Sequence, residues 1–328
     1  MVDKIIYPEE IILEVTNLCN LKCKFCHFHG EDAQHRRKLG LMPPEIWKKL
    51  LNEIDNWNKP CTILTHGAGE PLLYPHLEDL LSQAKKNPKL GVGFMTNGML
   101  LTSDISKMLV SLKIDSLALS IDGIIPETHD HFRKNADLKL IEKNLEYLIS
   151  EKERSDSNYP ALTFNMVGYP DILDQEEGYV KKWLPHADAV MISKFRPVGS
   201  RKLWDSNDDL PFTPCPLLYN QTVISIDGFM GLCCEDINLD VKVGNVLQDE
   251  LLTLYNSSPT LNRYRDIHEK NRDSIISSNH KSQLEQLKLC SDCDVWSAHI
   301  RLESQQKQIG NMKVSCEIYP SGKVYRKI

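Results

Sequence analysis

The chain has 328 residues, 41% of them hydrophobic and 26% charged, with a formal net charge of -6, the composition of a soluble globular protein long enough for one large domain and one small one. That acidic balance argues against nucleic-acid and membrane-surface partners, which select basic faces. No apolar run reaches membrane-spanning length and the N-terminus, MVDKIIYPEEIILEV, has no signal-peptide plan, so a cytoplasmic location is expected and the 10 cysteines read as metal ligands or catalytic groups rather than disulfides.

The first predicted strand is IILEVT (11–16), and TNLCNLKCKFCHFHG overlaps its end and continues beyond it. Cys19, Cys23 and Cys26 are separated by three residues and then by two. A lone cysteine is usually core filler, which is the expectation for Cys61, but three at a fixed short spacing are hard to explain by packing. Zinc would need His27 or His29 as a fourth ligand. An iron–sulfur cube on three thiolates would leave one iron free of protein ligands.

Further strands are expected at 61–66, 91–96, 115–121, 160–167 and 187–193, with helices at 44–57, 77–87, 102–112, 138–154 and 175–184. In 138–154, Leu138, Leu140, Ile141, Leu145, Leu148 and Ile149 recur at three- and four-residue spacing, the period of an amphipathic helix. Six strand–helix units imply a parallel sheet with helices outside, open or curved into a barrel, with function at the C-terminal ends of the strands. His66 stands at such an end and is a candidate substrate contact or proton acceptor.

The pattern changes near residue 200. SRKLWDSNDDLPFTPCP reads as a linker, TVISIDGFMGLCC as a hairpin turning at Asp227-Gly228, and 265–288 as a charged helix or loop. The expected domains are therefore 1–205 and 206–328. The second part holds Cys215, Cys233, Cys234, Cys290 and Cys293, a set that would also suit structural zinc.

The C-x3-C-x2-C pattern, with Phe25 before its last cysteine and a strand–helix series after it, resembles the radical S-adenosylmethionine (SAM) enzymes over about residues 8–200. The resemblance implies a partial (β/α)6 TIM-type barrel, α/β in class. It also implies a 4Fe-4S cluster on Cys19, Cys23 and Cys26 whose free iron chelates SAM. One electron then yields a 5′-deoxyadenosyl radical, which takes a hydrogen atom from the substrate. GAGEP (67–71) is similar to the family's Gly-Gly-Glu motif, so Gly69 and Glu70 would bind the SAM ammonium group. By the same resemblance Asn97 of TNG ends the third strand, Ser120 contacts the ribose with Asp122 behind it, Arg133 aims at the SAM carboxylate, and Asn165 faces the pocket.

The later cysteines resemble the SPASM and Twitch auxiliary-cluster domains of this family. The C-x2-C-x5-C run of a full SPASM domain is missing after Cys293, which implies one auxiliary 4Fe-4S cluster on Cys215, Cys233, Cys290 and Cys293. Cys233 is chosen by its G-x4-C spacing from Gly228, leaving Cys234 as filler or as a hydrogen-atom donor, with Cys316 as a second donor candidate. The aminocyclitol dehydrogenase branch of the family, known from butirosin biosynthesis, is similar around CCED (233–236) and at Arg196, which would bind substrate or help remove its hydroxyl proton. The expected activity is dehydrogenation or epimerisation of a small polar sugar or aminocyclitol, with flavodoxin or ferredoxin as electron donor. Peptide modification is the alternative; the start of the cysteine motif at Cys19 argues against it, because many such enzymes carry an N-terminal peptide-recognition domain. A zinc-bound, non-catalytic protein is the third reading.

Overall fold

A computed structural model describes residues 5–198, 200–201, 213–270, 287, 289–291, 293–298 and 300–328. Its first part alternates β1 (Glu10–Leu13), α1 (Pro44–Ile54), β2 (Cys61–Leu64), α2 (Leu77–Ala84), β3 (Leu90–Thr96), α3 (Ser103–Ser111), β4 (Ser116–Ser120), α4 (Pro126–Phe132), α5 (Leu138–Arg154), β5 (Ala161–Gly168), α6 (Glu176–Trp183) and β6 (Ala189–Lys194). Neighbouring strands in this series are parallel, with Ile11 opposite Ile63, Ile63 opposite Val92, Phe94 opposite Leu117, Leu117 opposite Leu162, and Phe164 opposite Val190. These side chains are almost fully buried, each stabilising the fold by about 1.5–3 kcal/mol.

The six expected strands and the five expected helices between them are present. Helix α5 is capped by Asp137, whose side chain accepts from Leu140 N, and it buries Leu138, Ile141, Asn144, Leu145 and Leu148. Helix α4 is an addition: seven residues opened by Pro126 and burying only His129 and Phe132, too short to show a period.

The later chain extends this sheet at both edges. After α7 (Leu217–Asn220), β7 (Gln221–Ile224) lies parallel to β1, with Thr222 opposite Ile11. The chain turns at Asp227-Gly228, where Gly228 takes φ 80, a value open to glycine. It returns as β8 (Phe229–Gly231), antiparallel to β7, and β9 (Lys242–Asn245) adds beyond it. Helices α8 (Leu251–Ser257) and α9 (Pro259–Lys270) follow. At the other edge, β10 (Glu303–Ile309), β11 (Met312–Tyr319) and β12 (Gly322–Lys327) form a meander whose last strand pairs antiparallel with β6. The sheet order is β9-β8-β7-β1-β2-β3-β4-β5-β6-β12-β11-β10, so β1 and β6 are each paired on both sides by the same chain and the outermost strands are β9 and β10.

The expected boundary between 205 and 206, most of the expected linker and residues 271–286 lie outside the described residues. No helix among the described residues is long and apolar enough to cross a membrane. Cys61 is in the core on β2, as expected, and Cys316 is fully buried on β11 opposite Tyr325.

Candidate active site

The loop after β1 carries the first three cysteines. Its turns are held by Cys26 N donating to Cys23 O (3.0 Å) and Gly30 N donating to Cys26 O (3.0 Å). Backbone N–H groups also aim at sulfur: Leu21 N at Cys19 Sγ (3.4 Å) and His29 N at Cys26 Sγ (3.1 Å). A two-residue antiparallel ladder sets Cys23 opposite Arg133. All three thiols line one cavity of about 150 Å³, together with Phe25, His66, Gly69, Glu70, Asn97, Ser120 and Arg133. The structure thus gathers residues from loops after four different strands.

Burial pushes the Cys19 thiol up to about 12, with Leu21 N–H acting against it, and Cys23 up to about 11, with Arg133 acting against it. As free thiols they stay protonated at neutral pH, so a metal centre here expels protons as it forms. Three clustered thiols, two of them receiving backbone N–H donors, fit an iron–sulfur cluster.

Gly69 is where the second loop crosses the first. A Cβ there would lie 2.4 Å from Leu18 O and 2.6 Å from Thr16 O. Glu70 N donates to Leu18 O (2.8 Å). The buried Glu70 carboxylate accepts from Thr96 Oγ1 (2.7 Å), Asn97 N (2.8 Å) and Leu72 N (3.2 Å), while burial raises its pKa. Asn97 Nδ2 donates to Asn20 Oδ1 (2.8 Å), tying the third loop to the cysteine loop. Burial lowers His66 to about 4, so it is a neutral imidazole at pH 7.

Asp122 is behind Ser120 and away from the cavity lining. It is fully buried, accepts from Val167 N (2.8 Å) and pairs with Arg133 Nε at 2.8 Å. Asp122 N donates to Nδ1 of His129 (2.9 Å), whose pKa burial and then Arg133 lower to about 3. Asn165 is not among the cavity-lining residues; its Oδ1 accepts from Ser193 Oγ (2.7 Å).

A second cavity is lined by Cys215, Cys233, Cys290 and Cys293 together with His268. Cys215 N donates to His268 Nδ1 (3.2 Å). Burial pushes Cys215 up to about 11 and Cys293 up to about 12. Cys234 does not line this cavity; its side chain is exposed and its Sγ is 3.9 Å from Glu235 Oε1. Cys316 lines neither cysteine cavity. Among the described residues no three His, Cys, Asp or Glu side chains meet as a single metal ion would require.

A third cavity, about 590 Å³, is lined by polar and charged groups that include His27, Asp32, Gln34, Arg36, Arg201 and Glu235. His27 follows Cys26 directly, and Glu235 lines the auxiliary cavity as well. The Arg196 guanidinium is ion-paired to Glu235. Burial and then the Arg196 charge lower the His27 pKa. The segment after the cysteine loop stitches the two regions together: Arg36 N donates to Asn238 Oδ1 (3.0 Å), Arg36 pairs with Asp240 (2.6 Å), and Arg37 Nη1 donates to Ile237 O (3.2 Å). Arg37 also pairs with Glu14, which accepts from Ala68 N (3.2 Å).

Sequence reasoning missed Glu14, Arg37, His129 and Glu235. Glu14 left a signal: a carboxylate within an apolar parallel strand must find a partner.

Residues 13–182 match the model of the radical SAM superfamily, and residues 215–294 match that of an iron-sulfur cluster-binding domain. Curated relatives include the tungsten-containing aldehyde ferredoxin oxidoreductase cofactor-modifying protein of Pyrococcus furiosus, 26% identical over 60% of this chain and 54% of the relative. The AdoMet-dependent heme synthase of Methanosarcina barkeri is 33% identical over 38% of this chain and 34% of that protein. The chain thus spans about half the length, or less, of these relatives. Among solved structures, BtrN in complex with AdoMet and 2-DOIA superposes with a TM-score of 0.57 at 17% identity, covering 88% of this chain and 93% of that one. Streptococcus suis SuiB bound to S-adenosylmethionine gives 0.64 at 17% identity, over 80% and 68%. These likenesses bear out the partial-barrel fold.

Proposed function

Because the chain belongs to the radical SAM superfamily, we propose that it abstracts a hydrogen atom from a small polar alcohol, a sugar or aminocyclitol, and completes either dehydrogenation or epimerisation. The cofactors are SAM and 4Fe-4S clusters, one of them in the auxiliary domain; when bound, they supply an electron and a 5′-deoxyadenosyl radical. Cys19, Cys23 and Cys26 hold the first cluster, and Cys215, Cys233, Cys290 and Cys293 the auxiliary one. Residues 1–205 are taken as the barrel part and 206–328 as the auxiliary part. Flavodoxin or ferredoxin in the cytoplasm is the proposed electron donor.

The observation that carries this reading is the polar cavity lined both by His27, next to Cys26, and by Glu235, next to the auxiliary cysteines. Its side chains offer hydrogen bonds of both signs, which hydroxyl-rich molecules satisfy. Arg196 orients Glu235, and Glu235 would accept the hydroxyl proton while the auxiliary cluster, when bound, would take the one electron whose loss turns the substrate radical into a carbonyl. His66, which lines the cavity of the first three cysteines, is a further candidate for substrate contact or proton acceptance.

The test is anaerobic reconstitution followed by incubation with reductant, SAM and a panel of deuterated polyols, aminocyclitols and short peptides. The reading expects alcohol-dependent formation of 5′-deoxyadenosine carrying deuterium. Stimulation by peptides alone would replace it with the peptide-modifying alternative.

A further inference from the structure

Arg133 is expected to reach the SAM carboxylate, yet most of its surroundings are protein. It is 5% exposed. Nε pairs with Asp122 at 2.8 Å, Nη1 is 4.0 Å from Cys23 Sγ, and the guanidinium is 4.9 Å from the centre of the Phe25 ring. The ladder between Lys22–Cys23 and Arg133–Lys134 fixes the two backbones in register. His129, through the Asp122 amide, and Val167 N, through the Asp122 carboxylate, hold the counterion. A buried cation is thus fixed against one of the three cluster thiols.

We infer that Arg133, held in place by Asp122, is a positioning residue that sets the reduction potential of the cluster on Cys19, Cys23 and Cys26. The inference rests on the assignment of those three cysteines as cluster ligands. A fixed positive charge beside a thiolate stabilises the state with the extra electron, and does so strongly where water is excluded. Hydrogen bonds and charges at the cluster sulfurs are among the factors that set the potential. Arg133 Nη1 is the charge that faces Cys23 Sγ, at 4.0 Å, whereas Asp122, of opposite sign, meets the guanidinium on its Nε side at 2.8 Å and lines no part of the cysteine cavity. The two charges therefore have opposite, separable effects.

The experiment is a potentiometric titration of the reconstituted full-length enzyme, followed by electron paramagnetic resonance in the absence of SAM. A later addition of SAM identifies the N-terminal cluster as the one whose signal changes. Arg133→Met is expected to make that potential more negative, Asp122→Asn to make it more positive, and Arg133→Lys to fall between Arg133→Met and wild type. Where a single variant fails to fold, the Arg133→Met/Asp122→Asn double variant decides, because it removes the pair together; its potential is expected below that of wild type. Unchanged potentials at wild-type iron content, or shifts of Arg133→Met and Asp122→Asn in the same direction, would overturn the inference. Wild-type protein whose iron does not depend on Cys19, Cys23 and Cys26 would instead sink the ligand assignment, and the iron count tells the two failures apart.

Discussion

Glu235 stands two residues beyond Cys233 and holds Arg196, so the loop after the last barrel strand is ion-paired to the loop of the auxiliary cysteines. Both side chains are largely buried, and each limits where the other can point. Their pairing joins the two halves of the chain at the polar cavity.

Glu235→Gln keeps the shape and removes the charge. Substrate-dependent product formation is expected to fall roughly a hundredfold, as for loss of a positioned proton acceptor. Iron content and substrate-free SAM cleavage should stay as in wild type. Steady-state rates on the substrate found by the panel check this, and an unchanged kcat/KM would remove Glu235 from the reaction.

Gly69→Ala places a methyl group where two backbone carbonyl oxygens already stand, at 2.4 and 2.6 Å. Backbone cannot yield as a flexible side chain can, so the loop carrying Glu70 must shift. The expected cost is about 1–3 kcal/mol of stability, with SAM affinity at least roughly tenfold weaker. Thermal unfolding and equilibrium dialysis with SAM measure the two effects.

The parts of the site that were legible in the sequence are local. Three cysteines within eight residues, or a glycine-rich loop after a strand, declare themselves by spacing. Gly69, Glu70, Asn97, Ser120 and Arg133 are expected here only through the family resemblance, and they line the same cavity as Cys19, Cys23 and Cys26. What stayed hidden depends on contacts far apart in sequence. Arg133 reaches Cys23 through a two-residue ladder, Arg37 reaches Glu14 and Ile237, and β7 pairs with β1 across some 210 residues of chain. None of these leaves a periodic trace. Asn165, expected at the pocket through the resemblance, accepts a hydrogen bond from Ser193 on the neighbouring strand, a contact between strands that local spacing does not announce.

His129 gives the fold a pH dependence whose sign can be stated. Its pKa in the fold is about 3 against an ordinary 6.5, with burial the main cause. The unfolded chain takes up the proton as pH falls through 6.5, whereas the folded chain does so only near 3. Its contribution is therefore fully present above 6.5 and is lost progressively between 6.5 and 3. At pH 5.5 the loss is about 1.4 kcal/mol. His66 and His268, both lowered to about 4 by burial, act in the same direction. Denaturant midpoints at pH 7.5 and 5.5 should show a smaller drop for His129→Asn than for wild type; equal drops would mean that His129 is not buried as a neutral ring.

Cys233 and Cys234 are neighbours with different surroundings, and this separates their substitutions. Cys233 shares a cavity with Cys215, Cys290 and Cys293, while Cys234 is exposed beside Glu235. After anaerobic reconstitution, about eight irons per chain are expected for two cubane clusters. Cys233→Ala should lower this to about four, as should Cys19/Cys23/Cys26→Ala, whereas Cys234→Ala should leave it unchanged. The catalytic outcome then divides the two reactions. If Cys234 returns a hydrogen atom to the substrate radical, Cys234→Ala abolishes the epimer and, in deuterated water, the solvent-derived deuterium at that carbon. If the auxiliary cluster takes the electron, ketone formation survives in Cys234→Ala and fails in Cys233→Ala. Loss of iron in Cys234→Ala with retention in Cys233→Ala would reverse the ligand assignment at this pair.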